Sequence, residues 1–281
     1  MDKILSKLTT YFEYYNEVFG DIIYLNDKIE NIDLKEQNIL PEISKQSNST
    51  QNVENILIKK STNKNIEKNI NKIEPTIINL PKPSSSVDET WVNAISLEEL
   101  HQKIQNCNQC PLGKTRNKLV FGSGNPNADI LIIGEGPGAD EDMTGLPFVG
   151  RAGQLLTKIL EAIELTRDEV YIANIVKCRP PGNRRPEINE VDKCEPYLLK
   201  QIELIKPKFI LALGLTAIET LFKTKFKMAD IRGKLLEYHN IKTLATYHPA
   251  ALLRNPNYKK GTWEDVKLLK KLYLESKEIK L

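Results

Sequence analysis

Unbroken apolar runs recur through the second half of the chain. Asp129–Gly134 reads DILIIG, Val170–Ile175 reads VYIANI and Lys208–Leu213 reads KFILAL. Runs without polar alternation predict strands covered on both faces. Gly153–Glu164 carries apolar residues at helical spacing, and Trp263–Leu274 predicts a closing helix. Ser96 and Glu99, in S-L-E-E, predict a capping box opening a helix that ends at Cys107. Pro186 predicts the start of a helical stretch carrying Cys194, with Pro196 forcing a break or a restart. Lys234–Tyr238 and Thr243–Tyr247 flank Asn240 and predict two further strands, the first an edge hairpin arm. Strand–helix alternation of this kind predicts an α/β fold with a mostly parallel sheet and helices on both faces.

The first part of the chain has a different texture. Residues 1–20 place Ile4, Leu5, Leu8, Tyr11, Phe12, Tyr15, Val18 and Phe19 at helical spacing and predict a short amphipathic helix. Residues 21–92 include QSNSTQNVENILIKKSTNKNIEKN and LPKPSSSVDET, compositions that bury too little apolar surface to offset ordering. That stretch is expected to be a linker or tail, and residues 93–281 the globular domain.

Charge adds little by itself. The 281 residues carry a formal net charge of +3, which permits a nucleic-acid partner without demanding one. There is no signal-peptide pattern and no transmembrane run, so the expected location is cytoplasmic, with no membrane partner. Cysteine changes the picture. The chain has four, Cys107 and Cys110 as C-x-x-C, then Cys178 and Cys194, with none left over. In a reducing compartment this predicts one four-thiolate centre, either structural zinc or an iron–sulfur cluster.

In folds of this kind ligands bind beyond the carboxyl ends of the strands. The unusual residues fall there. Gly134-Glu135-Gly136-Pro137-Gly138 follows the first strand. It lacks the Lys-Ser/Thr of a P-loop and the spacing of a dinucleotide fingerprint, but lets backbone N–H groups approach a ligand. Asn174 and Lys177-Cys178-Arg179-Pro180-Pro181-Gly182-Asn183-Arg184 end the second strand, and His248-Pro249-Ala250-Ala251-Leu252-Leu253-Arg254 the last. A carboxylate, an amide, an imidazole and basic side chains are thereby predicted to converge on one rim.

Three blocks carry a resemblance: GEGPGADEDMTGLPFVGRAGQLL (Gly134–Leu156), VYIANIVKCRPPGNRRP (Val170–Pro186) and TYHPAALLRNP (Thr246–Pro256). In these, and in its cysteine spacing, the chain from about residue 100 to 275 resembles the family 4, iron–sulfur uracil-DNA glycosylases. Covalent uracil-trapping relatives carry an Arg-Arg-Ile-His loop, whereas here Arg184-Arg185 is followed by Pro186-Glu187.

The resemblance implies a three-layer α/β/α sandwich and hydrolysis of the N-glycosidic bond of deoxyuridine in DNA, for base-excision repair. It implies a [4Fe–4S] cluster on Cys107, Cys110, Cys178 and Cys194. Phe148 matches the stacking residue. Asn174 would read the uracil edge, Glu141 would exclude the methyl of thymine, and the backbone at Gly136 would assist. His248 would stabilise the departing ring and Glu135 would orient or deprotonate water. Family 1 enzymes have an aspartate one position further along that loop, where this chain has Gly136, so leaving-group stabilisation is expected to carry most of the rate. Leu252 or Leu253 would fill the space left by the flipped base, with Arg254 and Arg184 on the DNA backbone. The expected partner is uracil-containing DNA, the expected state a monomer, and the N-terminal segment a possible contact for a repair or replication protein. The alternative is a non-catalytic iron–sulfur DNA-binding module.

Overall fold

A computed structural model of the protein describes residues 89–278. The predicted amphipathic helix at residues 1–20 and nearly all of the expected linker lie outside the described residues. The domain begins earlier than expected. A short 3-10 turn at Glu89–Asn93 buries Trp91 edge-on against Tyr197, with ring centroids 4.8 Å apart. The polar run before it conceals this anchor, so residues 89–92 belong to the domain and not to the linker.

Among the described residues, six strands form one sheet in the order β1-β3-β2-β4-β6-β5. They are β1 (Ser123–Gly124), β2 (Ile130–Gly134), β3 (Tyr171–Asn174), β4 (Phe209–Leu213), β5 (Leu236–Tyr238) and β6 (Ile241–Thr246). The four inner strands run parallel, while β1 and β5 are antiparallel edges. His239 and Asn240, both with positive φ (48° and 64°), make the tight turn joining β5 to β6.

Among the described residues the helices are α1 (Leu97–Ile104), α2 (Leu112–Thr115), α3 (Ala139–Thr144), α4 (Arg151–Ala162), α5 (Ile188–Ile205), α6 (Leu215–Phe222), α7 (Met228–Ile231), α8 (Pro249–Arg254) and α9 (Tyr258–Glu278). Ser96 caps α1 by accepting from the Glu99 N–H, but Glu99 reaches back to the Ile95 N–H and not to the cap itself. The expected break at Pro196 does not occur: α5 continues through it. Proline removes one helical donor, and the helix survives because Cys194, Tyr197, Leu198, Gln201, Ile202 and Ile205 bury its inner face.

Successive strand residues point to opposite faces, so each apolar run feeds two cores. Leu131, Ile133, Ile210 and Ala212 pack with Leu198 and Ile202 of α5 and Ile218 of α6 on one face. Ile130, Ile132, Leu211 and Leu244 pack with Leu156 and Ile159 of α4 and Val266 and Leu269 of α9 on the other. The three-layer sandwich follows. The chain leaves β2 through α3 and α4 to β3 on one side, then returns through α5 to β4 on the other. Strand order reverses around β2, which opens a crevice at its carboxyl end.

Candidate active site

That crevice is a cavity of about 480 Å³. It is lined by Glu135, Gly136, Glu141, Phe148, Asn174, Arg184, His248 and Arg254, among others. Residues from five separate stretches of chain thus meet at one place, as the strand-end argument predicts.

Asn174 ends β3, and its side chain is 1% exposed. Its Oδ1 has no hydrogen-bond partner among the described residues. A buried acceptor without a donor is costly unless something supplies one. Gly134 makes room for it: a Cβ there would collide with Asn174 Oδ1 and come within 2.5 Å of Phe148 Cζ. The Phe148 ring lies 5.5 Å from that of His248, centroid to centroid.

His248 caps α8. Its Nδ1 accepts from the Ala250 N–H at 3.2 Å, which leaves the proton of a neutral ring on Nε2. Burial, reinforced by the Arg254 guanidinium, pushes the His248 pKa down to about 4. The ring is therefore neutral at physiological pH, a hydrogen-bond donor through Nε2 without a full charge.

Glu135 Oε2 accepts from Thr216 Oγ1 at 2.5 Å, so the first turn of α6 fixes the carboxylate. Glu141 is pinned more fully. Its Oε1 accepts from the Val149 and Gly150 N–H groups at 2.8 and 2.9 Å, and its Oε2 from the Gly138 N–H at 3.0 Å. A carboxylate so held is a rigid wall of the cavity.

The expected DNA contacts divide. Leu252 is 0% exposed and sits in the core with α4 and α9, so it cannot wedge into a base stack; Leu253 is 42% exposed and can. Arg184 lines the cavity with its guanidinium forked onto Glu190 at 2.7 and 2.8 Å. It offers a fixed positive edge and not a swinging hook.

A second, smaller cavity is lined by all four cysteines, with Lys177 and Tyr197. None of the four is in a disulfide. Among the described residues no group of three or more His, Cys, Asp or Glu is placed to hold a single metal ion. Donors nevertheless surround the sulfurs. The Lys177 N–H donates to Cys194 Sγ (3.2 Å), Arg116 to Cys178 Sγ (3.3 Å), and the Tyr197 hydroxyl lies 3.3 Å from Cys107 Sγ. Burial pushes Cys178 up to about 11 and Cys194 up to about 12. These sulfurs hold their protons unless a metal centre replaces them. The donor set, four soft thiols and no imidazole, suits an iron–sulfur cluster or zinc.

Sequence reasoning put Lys177 at the strand end without giving it a role, and it missed Thr216. Lys177 is fully buried, its Nζ donating to the Asn174 carbonyl (2.8 Å) and Gln201 Oε1 (2.5 Å). It links the thiol cavity to the backbone of the pocket asparagine. A lysine closing the apolar run ANIVK was the available signal. Thr216 had no such signal.

Residues 121–272 match the family model described as the Uracil DNA glycosylase superfamily, and the chain belongs to that superfamily. Relatives place it more narrowly. A Type-4 uracil-DNA glycosylase from Pyrobaculum aerophilum is 45% identical over 170 residues, covering 58% of this chain and 87% of the relative. One from Archaeoglobus fulgidus is 43% identical over 185 residues, 63% of this chain and 93% of the relative. A Type-5 enzyme from Pyrobaculum aerophilum is 32% identical over 146 residues, 46% and 64% of the two chains. Within the superfamily, the affinity is with the Type-4 branch.

Proposed function

We propose that this protein excises uracil from DNA by hydrolysing the N-glycosidic bond of deoxyuridine, leaving an abasic site for base-excision repair. The observation that carries the reading is the orphaned Oδ1 of Asn174, buried in a cavity that also presents Phe148, His248 and Glu135. Uracil N3–H is the missing donor, and the same amide's NH₂ can donate to O4. Cytosine reverses that pattern and leaves buried groups unpaired, which discriminates strongly.

The scissile bond is unreachable inside a duplex, so the nucleotide must flip out, at a cost of about a few kcal/mol. Stacking on Phe148 returns roughly 1–3 kcal/mol. Leu253 fills the vacated space, and Arg254, with Arg184, faces the phosphates. The pinned Glu141 leaves no room for the methyl of thymine. As the bond breaks, charge develops on uracil O2, where Nε2–H of the neutral His248 donates. A preorganised donor in a buried site is the strongest aid available to such a reaction. Glu135, held by Thr216, orients the water that attacks C1′ from the opposite side.

Cys107, Cys110, Cys178 and Cys194 are the residues that would hold a [4Fe–4S] cluster. When bound, such a group supplies a structural tie among the α1–α2 loop, the end of β3 and α5. The all-thiol donor set accommodates such a cluster, and the resemblance to the iron–sulfur glycosylases favours it over zinc.

The test is a uracil-containing oligonucleotide incubated with protein and then treated with alkali. Strand scission above control is expected, and its absence overturns the reading. His248→Ala is expected to lower kcat by about 10²–10³ while far-UV circular dichroism stays unchanged.

A further inference from the structure

Phe148, the platform for the flipped base, has φ = 54°. An aromatic L-residue adopts that left-handed backbone only under constraint, because its Cβ crowds the adjoining peptide. The surrounding structure supplies the constraint from three directions. Glu141 takes the N–H groups of Val149 and Gly150, directly after the strained residue. Gly153 lets α4 close over the Phe148 carbonyl, with which any Cβ at that position would collide. Arg167, in the loop before β3, donates through Nη2 to the Pro147 carbonyl at 2.8 Å. Through Nη1 it donates to the Phe148 carbonyl at 3.1 Å and to Thr157 Oγ1 at 3.4 Å.

Arg167 is partly buried, and burial lowers its pKa from the usual guanidinium value. Its guanidinium holds two consecutive carbonyls at once. Its planar fork fixes the relative orientation of both groups, which a single ammonium cannot. The two carbonyls bracket the strained residue, so the fork sets the direction in which the Phe148 ring leaves the backbone.

We propose that Arg167 is a positioning residue for base excision, clamping the Pro147–Phe148 backbone so that the Phe148 ring meets the flipped base face to face. The inference rests on the uracil-excising reading of the cavity. Arg167 touches neither base nor sugar, and all of its effect passes through Phe148.

The experiment uses the full-length, metal-loaded protein with Arg167→Met and Arg167→Lys, each in the wild-type and Phe148→Ala backgrounds. Cleavage is measured on a uracil oligonucleotide. Binding is measured to DNA carrying non-hydrolysable 2′-fluoro-2′-deoxyuridine and to DNA carrying a tetrahydrofuran abasic analogue. Arg167→Met is expected to weaken binding of the fluorinated base about tenfold, the scale of a lost stacking contact, and to lower kcat/KM at least as much. Binding of the abasic analogue, which has no base to stack, is expected to stay within about twofold. Arg167→Lys is expected to fall between, and neither substitution to cost anything further once Phe148 is alanine. Equal weakening of both DNAs, or a loss that multiplies with Phe148→Ala, overturns the clamp, as does an unchanged Arg167→Met. Should Arg167→Met fail to fold, Arg167→Lys decides by the same criteria. A wild-type protein that binds the fluorinated base but releases no uracil overturns the excision reading, while the binding comparison still judges the clamp.

Discussion

His248 is neutral because of where it sits. Its Nδ1 is committed to the Ala250 N–H, and burial beside Arg254 pushes the pKa down to about 4. The acid limb of kcat/KM is therefore expected to fall toward pH 4 and not at the ordinary imidazole value of about 6.5. Rates on single-stranded uracil DNA from pH 4 to 8 check this, and a midpoint near 6.5 contradicts it. Stability follows a separate sign argument. Between pH 6.5 and 4 the unfolded chain protonates this histidine and the native state does not, so its share of stability falls as pH drops. Asp265 acts oppositely: fully buried, its pKa raised to about 6 by burial, it takes up a proton in the native state first as pH falls. The fold is thus expected to resist mild acid better than His248 alone would allow. Asp265→Asn is expected to steepen the loss of stability below pH 6, as read from thermal midpoints.

At the scale of elements, α8 shows how one turn of helix divides neighbours between jobs. His248 caps it, Pro249 occupies its first position, Leu252 turns inward and Leu253 outward. Leu252→Ala is expected to cost about 2–5 kcal/mol in a denaturant titration. Leu253→Ala is expected to leave stability within about 0.5 kcal/mol, yet to slow excision from duplex DNA more than from single strands. Helix α5 does comparable work over a longer span. Cys194, Tyr197 and Gln201 sit at i, i+3 and i+7 on one face, and reach the Lys177 N–H, the Cys107 sulfur and the Lys177 ammonium in turn. A break at Pro196 would have scattered them. Gln201→Leu removes a partner of the buried ammonium and is expected to destabilise the fold by about 1–3 kcal/mol. An unchanged melting temperature would contradict that.

Over the whole molecule, the thiol cavity ties together segments that are distant in sequence. Replacing Cys194 by Ser is expected to lower iron and sulfide content and the melting temperature together, the visible absorbance of the purified protein fading with them. Protein that carries neither iron nor sulfide would count against the cluster. Trp91 makes an independent tie, sealing the first core at its edge. Trp91→Ala is expected to cost about 3–5 kcal/mol, which also makes residue 93 a poor place to begin a shortened chain.

Local pattern was enough for the inner strands and most of the longer helices, because an apolar run or a 3.6-residue period records its own burial. It was enough to put Glu135, Asn174 and His248 on one rim, since parallel strands deliver their following loops to one edge. C-x-x-C and the absence of a spare thiol were enough to group the cysteines. Pattern was silent where the outcome depends on what arrives from elsewhere in the chain. It did not separate Leu252 from Leu253, carry α5 through Pro196, bury Lys177 and Trp91, or set Arg167 against the Phe148 backbone. Those were decided only on folding, because burial and hydrogen bonding are properties of the completed packing, and a residue's sequence neighbours do not contain the atoms that complete it.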